Sequence, residues 1–102
     1  MEQKEIISKV KSAIKSVDPQ AKVILFGSRA RGDEKQSSDW DFLILASKEA
    51  TEKYKNEITV SLIDTELEAE QVISTIIYSQ AEWSDYQITP LFQSILKEGF
   101  EV

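Results

Sequence analysis

Two short, nearly all-apolar runs constrain the fold of this chain more than any other feature. The runs are Lys22–Phe26 and Trp40–Leu45, and both are rich in β-branched and aromatic residues. Runs of this length are too short for buried helices, so each is predicted to be a buried strand. Gly27 stops the first run, and the polar stretch 32–38 predicts a loop that leads to the second.

The flanking segments predict helices that cover these strands. Asp18-Pro19 ends the first helix, because the residue before proline avoids the helical conformation. Ser47 is the predicted N-cap of a helix from Lys48 to about Ala69, and Thr89-Pro90 and Gly99 bound the last helix. The apolar residues of the first helix recur at helical spacing: Ile6, Ile7, Val10, Ile14 and Val17.

A third strand is predicted over Gln71–Tyr78, followed by a capping box at Ser79–Glu82. An alternative places a strand over Ile58–Ile63, where apolar residues alternate. Trp40 and Trp83 are expected to be packing residues rather than stacking platforms. The elements predict an α/β (α+β) fold, in which helices cover a small mixed β-sheet of three or more strands. We expect one domain over residues 1–102.

Composition excludes several classes of site. The chain has no cysteine and no histidine, so disulfides, thiol or histidine catalysis and Cys- or His-ligated metals are excluded. No apolar run is long enough for a membrane span and the N-terminus is not a secretory signal, so we expect a cytoplasmic protein. The net charge of −6 argues against an extended nucleic-acid-binding surface.

Charge is distributed unevenly between the two halves. Residues 1–48 have a net charge of +2 and residues 49–102 a net charge of −8. The acidic half is either a solvated surface or a face that binds a basic partner. In the first half, four basic residues are expected to cluster around the Gly-Ser turn: Lys22, Arg29, Arg31 and Lys35.

The turn after the first strand has the residue types of an anion-binding site. Gly27 lets a ligand approach the backbone, and Ser28 opens a short helical turn with free N–H groups. The Ser28 hydroxyl and the guanidinium groups of Arg29 and Arg31 add donors that match phosphate oxygens. Alone, a Gly-Ser turn is usually structural.

Two carboxylates stand at the start of the second strand. Because strand side chains alternate, Asp39 and Asp41 are expected on one face and Trp40 on the other. Adjacent carboxylates repel unless a cation lies between them, and oxygen ligands beside phosphate suit Mg²⁺ or Mn²⁺. An isolated Asp-x-Asp is often only a solvated strand entry, but together with the Gly-Ser turn it favours phosphoryl or nucleotidyl transfer.

The segment 27–32 followed by 38–44 resembles the signature of the DNA polymerase β-like nucleotidyltransferases, and most of all that of their minimal prokaryotic members. The resemblance implies Mg²⁺ held by Asp39 and Asp41 and a triphosphate contacted by Gly27 and Ser28. It implies transfer of a nucleoside monophosphate from an NTP, expected to be ATP, to an acceptor hydroxyl. It also implies a separate helical partner, often of the HEPN type, in a toxin–antitoxin pair.

The match lacks one expected group. Active members of the family usually carry a third carboxylate on the next core strand, but Gln71–Tyr78 contains no acid, and Ser74 or Thr75 stands there instead. Three acids outside that strand are the candidates to replace it: Asp64, Glu68 and Glu70. Three functions therefore remain open: an active nucleotidyltransferase, an antitoxin-like binding module with little or no catalysis, and an unrelated α/β domain.

Overall fold

The chain folds as a four-stranded mixed sheet with helices on both faces. The structure is a computed structural model that describes residues 1–102. The six helices are α1 (Gln3–Val17), α2 (Ser28–Arg31), α3 (Glu52–Ser61), α4 (Ile63–Ala69), α5 (Gln80–Trp83) and α6 (Pro90–Glu98). The four strands are β1 (Lys22–Phe26), β2 (Trp40–Ala46), β3 (Ile73–Ser79) and β4 (Phe100–Glu101). A 3₁₀ turn, Ser84–Tyr86, follows α5.

The sheet has the order β3-β2-β1-β4. β1 pairs antiparallel with both β2 and β4, whereas β2 and β3 are parallel and are joined through α3 and α4. The mixed sheet and its three predicted strands are confirmed, and the two-residue strand β4 is an addition. β2 lies between two neighbours and has a helical layer on each face, which explains its nearly continuous apolar sequence.

Each face of the sheet has its own core. Alternate residues of β2, including Trp40 and Phe42, pack with β1 against α1, α3 and α4. The other face of β2 is a smaller layer formed by Leu43 and Leu45 with Ile95 of α6. Trp40 is fully buried and Trp83 packs against Phe92, so both tryptophans are packing residues as predicted. None of the helices has the length and apolar character that a membrane span requires.

The predicted middle helix is wrong in its start and in its continuity. It begins after Thr51, whose Oγ1 accepts the N–H of Tyr54 at 3.1 Å. Ser47 is not a cap because its N–H and hydroxyl both donate to Asp18. The helix is interrupted at Leu62, within a segment dense in β-branched residues, which fit helices poorly. The alternative strand over 58–63 is excluded because that segment is helical.

The C-terminal segment confirms the predicted bounds of the last helix. Thr89 caps α6, with Pro90 in the first turn, and the capping box at Ser79 is present. Gly99 follows the last residue of α6, as predicted, and has an extended conformation with a φ of −84°. Glycine is needed there because a Cβ would lie 2.8 Å from the carbonyl oxygen of Ile95. Phe100 begins β4 and pairs with Leu25.

Candidate active site

The Gly-Ser turn joins the end of β1 to α2. Gly27 has a φ of +77°, a conformation that side-chain-bearing residues rarely adopt. Its carbonyl oxygen accepts the N–H groups of Ala30 and Arg31 at 3.0 and 3.1 Å. The N–H groups of Ser28 and Arg29 belong to the first turn of α2, where helix geometry provides no intrahelical acceptor. The turn therefore offers backbone donors where a ligand can approach.

Asp41 faces this turn directly. The register of the antiparallel pair places Asp41 opposite Phe26, the residue before Gly27. A Cβ built on Gly27 would overlap Asp41 Oδ2, so only glycine allows the carboxylate and the turn to lie so close together. The Gly-Ser turn and the second aspartate are therefore close together in the structure.

The electrostatics of Asp41 differ from those of an ordinary surface carboxylate. Burial is the main cause that raises the pKa of Asp41, and the negative charge of Asp39 adds to it. Arg31 acts in the opposite direction. Asp39 is exposed just before β2, while the intervening Trp40 is buried in the opposite layer. The two carboxylates thus lie close enough to repel each other, as a shared cation site requires.

Arg31 is the arginine that belongs to the site. Its Nε donates to Asp33 at 3.1 Å, and its Nη1 donates to Glu98 of α6 at 3.0 Å. Oε1 of Glu98 also accepts the N–H of Gly27 at 3.3 Å. Glu98 was not identified from the sequence, because nothing local to α6 indicates that its last residue reaches a turn 71 residues earlier.

Arg29 lies inside the protein and contacts the loop before β2, so its binding to phosphate stays a prediction. Its side chain is buried and lies 4.7 Å from the centre of the Trp40 ring. Its Nη2 donates to the carbonyl oxygens of Ser38 and Gln36 at 2.9 and 3.3 Å and to Gln71 Oε1 at 3.1 Å. Arg29 therefore fixes the loop that leads to Asp39 through Nη2 of its guanidinium group.

The two predicted lysines do not join the site. Lys22 is the first residue of β1 and pairs with Leu45, at the opposite end of the strand from Gly27. At about 3.3 Å per residue, Lys22 and Gly27 are roughly 17 Å apart. Lys35 is exposed in the loop beside Arg29 and Gln71. The expected cluster of four basic residues is thus reduced to Arg31.

Comparisons with known proteins identify the family. The model of the family "Polymerase beta, Nucleotidyltransferase" matches residues 8–99. The chain belongs to this family. A protein of Methanocaldococcus jannaschii named "Putative protein adenylyltransferase" is 42% identical over 82 residues, which are 78% of this chain and 83% of that protein. Together, the family match and this relative identify the chain as a minimal nucleotidyltransferase of the polymerase β-like superfamily.

A solved structure shares the fold of this nucleotidyltransferase. The crystal structure, described as "the toxin-antitoxin with AMP-PNP", superposes with a TM-score of 0.63. The match covers 92% of this chain and 69% of that one at 17% identity. At this identity, the likeness supports the α/β arrangement of sheet and helices alone.

The third carboxylate expected of a nucleotidyltransferase is missing. Ser74 occupies the register position beside Asp41 on the neighbouring strand β3. Asp64 and Glu70 are exposed on and after α4, and Glu68 forms an ion pair with Lys9 at 2.8 Å. No group of three or more His, Cys, Asp or Glu side chains is arranged to hold a metal ion. None of the three candidate replacements from the sequence reaches the site.

Proposed function

We propose that this nucleotidyltransferase transfers a nucleoside monophosphate from an NTP, with ATP as the expected substrate, to an acceptor hydroxyl. The observation that carries the proposal is the contact between the turn and the strand, in which Gly27 leaves room for the Asp41 carboxylate. This proximity would place phosphate oxygens bound at the turn beside a cation held by the carboxylate. The name of the archaeal relative, a protein adenylyltransferase, supports AMP as the group transferred and a protein as the acceptor.

In the proposed reaction, the acceptor oxygen attacks the α-phosphorus and the bond to the pyrophosphate oxygen breaks. The backbone at Gly27, the Ser28 hydroxyl and Arg31 would bind the triphosphate and the departing pyrophosphate. The acceptor hydroxyl loses its proton to solvent, since β3 supplies no carboxylate near Asp41. Holding the acceptor and the α-phosphorus in line would be the main contribution of the protein to the rate.

The donor set fits Mg²⁺ or Mn²⁺. Asp39 and Asp41 supply only oxygen ligands, and the carboxylate of Asp41 accepts no hydrogen bond that would compete with a cation. Two carboxylates, together with phosphate oxygens and water, are a usual environment for Mg²⁺. Bound there, the ion would neutralise the charge of the triphosphate and of the two aspartates.

Label position tests the reaction. Added to a lysate of the native host with Mg²⁺ and ATP labelled at the α-phosphate, the protein should increase the labelling of an acceptor protein. With ATP labelled at the γ-phosphate, adding the protein should give no such increase over the lysate alone. Asp39→Ala and Asp41→Ala should both abolish labelling, and Asp85→Ala, which changes an exposed acid outside the site, should not. Transfer that persists in both site variants would disprove the mechanism.

A second function is favoured by Ser74 at the position of the third carboxylate. With two acids, metal binding and proton removal both weaken, and the latter contributes about 10²–10⁴-fold in rate. The chain would then act as an antitoxin-like binding module for a helical HEPN-type protein. The double variant Asp39→Ala/Asp41→Ala separates the two functions. If the chain is a binding module, the double variant should still neutralise its partner. If the chain is an enzyme, the double variant should still bind the partner but no longer neutralise it.

Surface charge supports a basic protein partner. Residues 56–96 contain no lysine or arginine and seven acidic residues. Within them, Val60, Ile63 and Leu67 are exposed at helical spacing on α3 and α4. Apolar side chains within an acidic surface suit a partner with apolar and basic residues. Leu67→Lys should weaken partner binding, while Leu96→Lys, at a similarly exposed leucine on α6, should not.

A further inference from the structure

Glu98 occupies the two donors that the proposed function assigns to a triphosphate. One oxygen of its carboxylate accepts the N–H of Gly27 at 3.3 Å, and the other accepts Nη1 of Arg31 at 3.0 Å. The side chain is 18% exposed, whereas that of Arg31 is 44% exposed. A carboxylate of the protein thus lies where an anionic substrate would bind.

The position of Glu98 in its helix is electrostatically unfavourable. It is the last residue of α6, where the helix dipole disfavours a negative charge. Its charge also lies near Asp41, whose pKa it helps to raise after the larger effects of burial and Asp39. The contacts with Gly27 and Arg31 offset these costs.

The backbone on both sides of Glu98 is fixed. α6 packs on the sheet through Ile95, and β4 begins two residues after Glu98. The intervening Gly99 lies so close to the carbonyl oxygens of Ile95 and Leu25 that a Cβ would be 2.8 and 3.1 Å from them. Release of the turn therefore needs only rotation of the Glu98 side chain.

We propose that Glu98 is an internal competitor of the triphosphate, which must displace its carboxylate from Gly27 and Arg31 in order to bind. The inference rests on the proposed function and adds a residue outside the motif. Carboxylate and phosphate oxygens accept the same charge-assisted hydrogen bonds, so they cannot occupy these donors together. The apparent affinity for polyphosphate is then reduced by the fraction of molecules in which Glu98 is bound to the turn.

Calorimetry with inorganic tripolyphosphate and Mg²⁺ tests this inference without a base, a sugar or an acceptor. Glu98→Gln keeps the shape and removes the charge, and we expect it to tighten binding about 5- to 20-fold. Glu98→Asp keeps the charge but is one methylene shorter, and should fall between the wild type and Glu98→Gln. Glu101→Gln removes the same charge from an exposed neighbour and should change the affinity less than about 2-fold.

Equal or weaker binding by Glu98→Gln, with an unchanged circular dichroism spectrum, would overturn the inference. So would an equal gain from Glu101→Gln, since net charge alone would then explain it. Label transfer from ATP, measured on the same proteins, is read separately. If Glu98→Gln binds tripolyphosphate more tightly while no protein transfers label, the proposed function fails and the role of Glu98 stands. If the wild type transfers label and Glu98→Gln gains no affinity, only the role of Glu98 fails.

Discussion

Two aspartates with opposite pKa shifts lie at the two ends of β2, one of them contributed by the end of α1. Beyond the C-terminal end of β2, Asp18 accepts hydrogen bonds from the N–H and hydroxyl of Ser47 at 2.9 and 2.7 Å and from Tyr54 at 2.8 Å. At its N-terminal end, burial raises the pKa of Asp41 and no hydrogen bond compensates. Burial also favours a higher pKa for Asp18, but the donors from Ser47 and Tyr54 outweigh it and lower the pKa.

The difference separates a structural carboxylate from a functional one. Asp18 is satisfied within the chain and ties the end of α1 to the end of β2 and to α3. Asp41 lacks a compensating donor, so its partner must come from outside the chain, as expected for a metal- and nucleotide-binding site. Removing each carboxylate should therefore have opposite effects on stability and on activity.

The largest effect is expected on activity. Asp41→Asn should lower label transfer from ATP at least about 100-fold while the protein stays folded, because a cation ligand is lost. Asp18→Asn, assayed on its folded fraction, should transfer at a rate close to that of the wild type. If the two variants lose activity equally, the distinction between the two ends of the strand is wrong.

The stability of the fold should depend on Asp18 more than on Asp41, the reverse of the order expected for activity. Asp18→Asn should lower the free energy of unfolding by about 2–3 kcal/mol, since a buried, charged acceptor of several hydrogen bonds is lost. Tyr54→Phe, which removes one of the donors, should cost about 1–2 kcal/mol. Urea unfolding at pH 7 measures both.

Lowering the pH should remove the contribution of Asp18 to the free energy of unfolding. Because folding lowers its pKa, the stabilisation is complete above the unfolded value, about 3.9, and is lost as the pH falls through the folded-state pKa. The stability difference between wild type and Asp18→Asn should therefore shrink below about pH 4. A difference that stays constant at low pH would mean that the charge of Asp18 is not what stabilises the fold.

The two arginines of α2, Arg29 and Arg31, should differ less strongly in their effects on stability. Arg29→Lys should cost about 1–3 kcal/mol because it loses the contacts with Ser38 and Gln71 and the stacking on Trp40. Arg31→Lys should leave the free energy of unfolding nearly unchanged, since Arg31 is half exposed. Equal losses would show that the buried arginine does not hold the loop.

The smallest expected effect is a gain in the free energy of unfolding. In EDTA at pH 7, Asp41→Asn should raise the free energy of unfolding by about 0.5 kcal/mol, a few degrees in Tm, because an uncompensated and partly buried charge is removed. Asp85→Asn, a change at an exposed acid, should have no such effect. A loss of stability in Asp41→Asn would mean that the charge of Asp41 does not destabilise the metal-free protein.

The sequence predicted what short-range physics controls. The apolar runs of β1 and β2, the Gly-Ser turn and the caps at Ser79 and Thr89 are all local features, and each is present. Contacts between distant segments were missed. Ser47 looked like a helix cap because its contact with Asp18, 29 residues earlier, has no local signal.

The candidate site shows the same limit. The proximity of Asp41 and Gly27 could be predicted, because a strand, a loop and a returning strand bring them together. The separate roles of Arg29 and Arg31 could not, because only the position of Trp40 decides which arginine is buried. Glu98 and β4 depend on how α6 returns to the edge of the sheet, which local pattern does not specify.

The most direct test of the account is paramagnetic broadening by Mn²⁺ in the presence of ATP. Amide resonances of the turn and of the start of β2, at Gly27, Ser28 and Asp41, should broaden most. Those of Asp18 and Ser47 at the far end of β2, roughly 20 Å away at about 3.3 Å per residue, should remain sharp. Strongest broadening in the acidic segment around Asp64 and Glu68, with the turn unaffected, would contradict the assignment of one shared cation and nucleotide site.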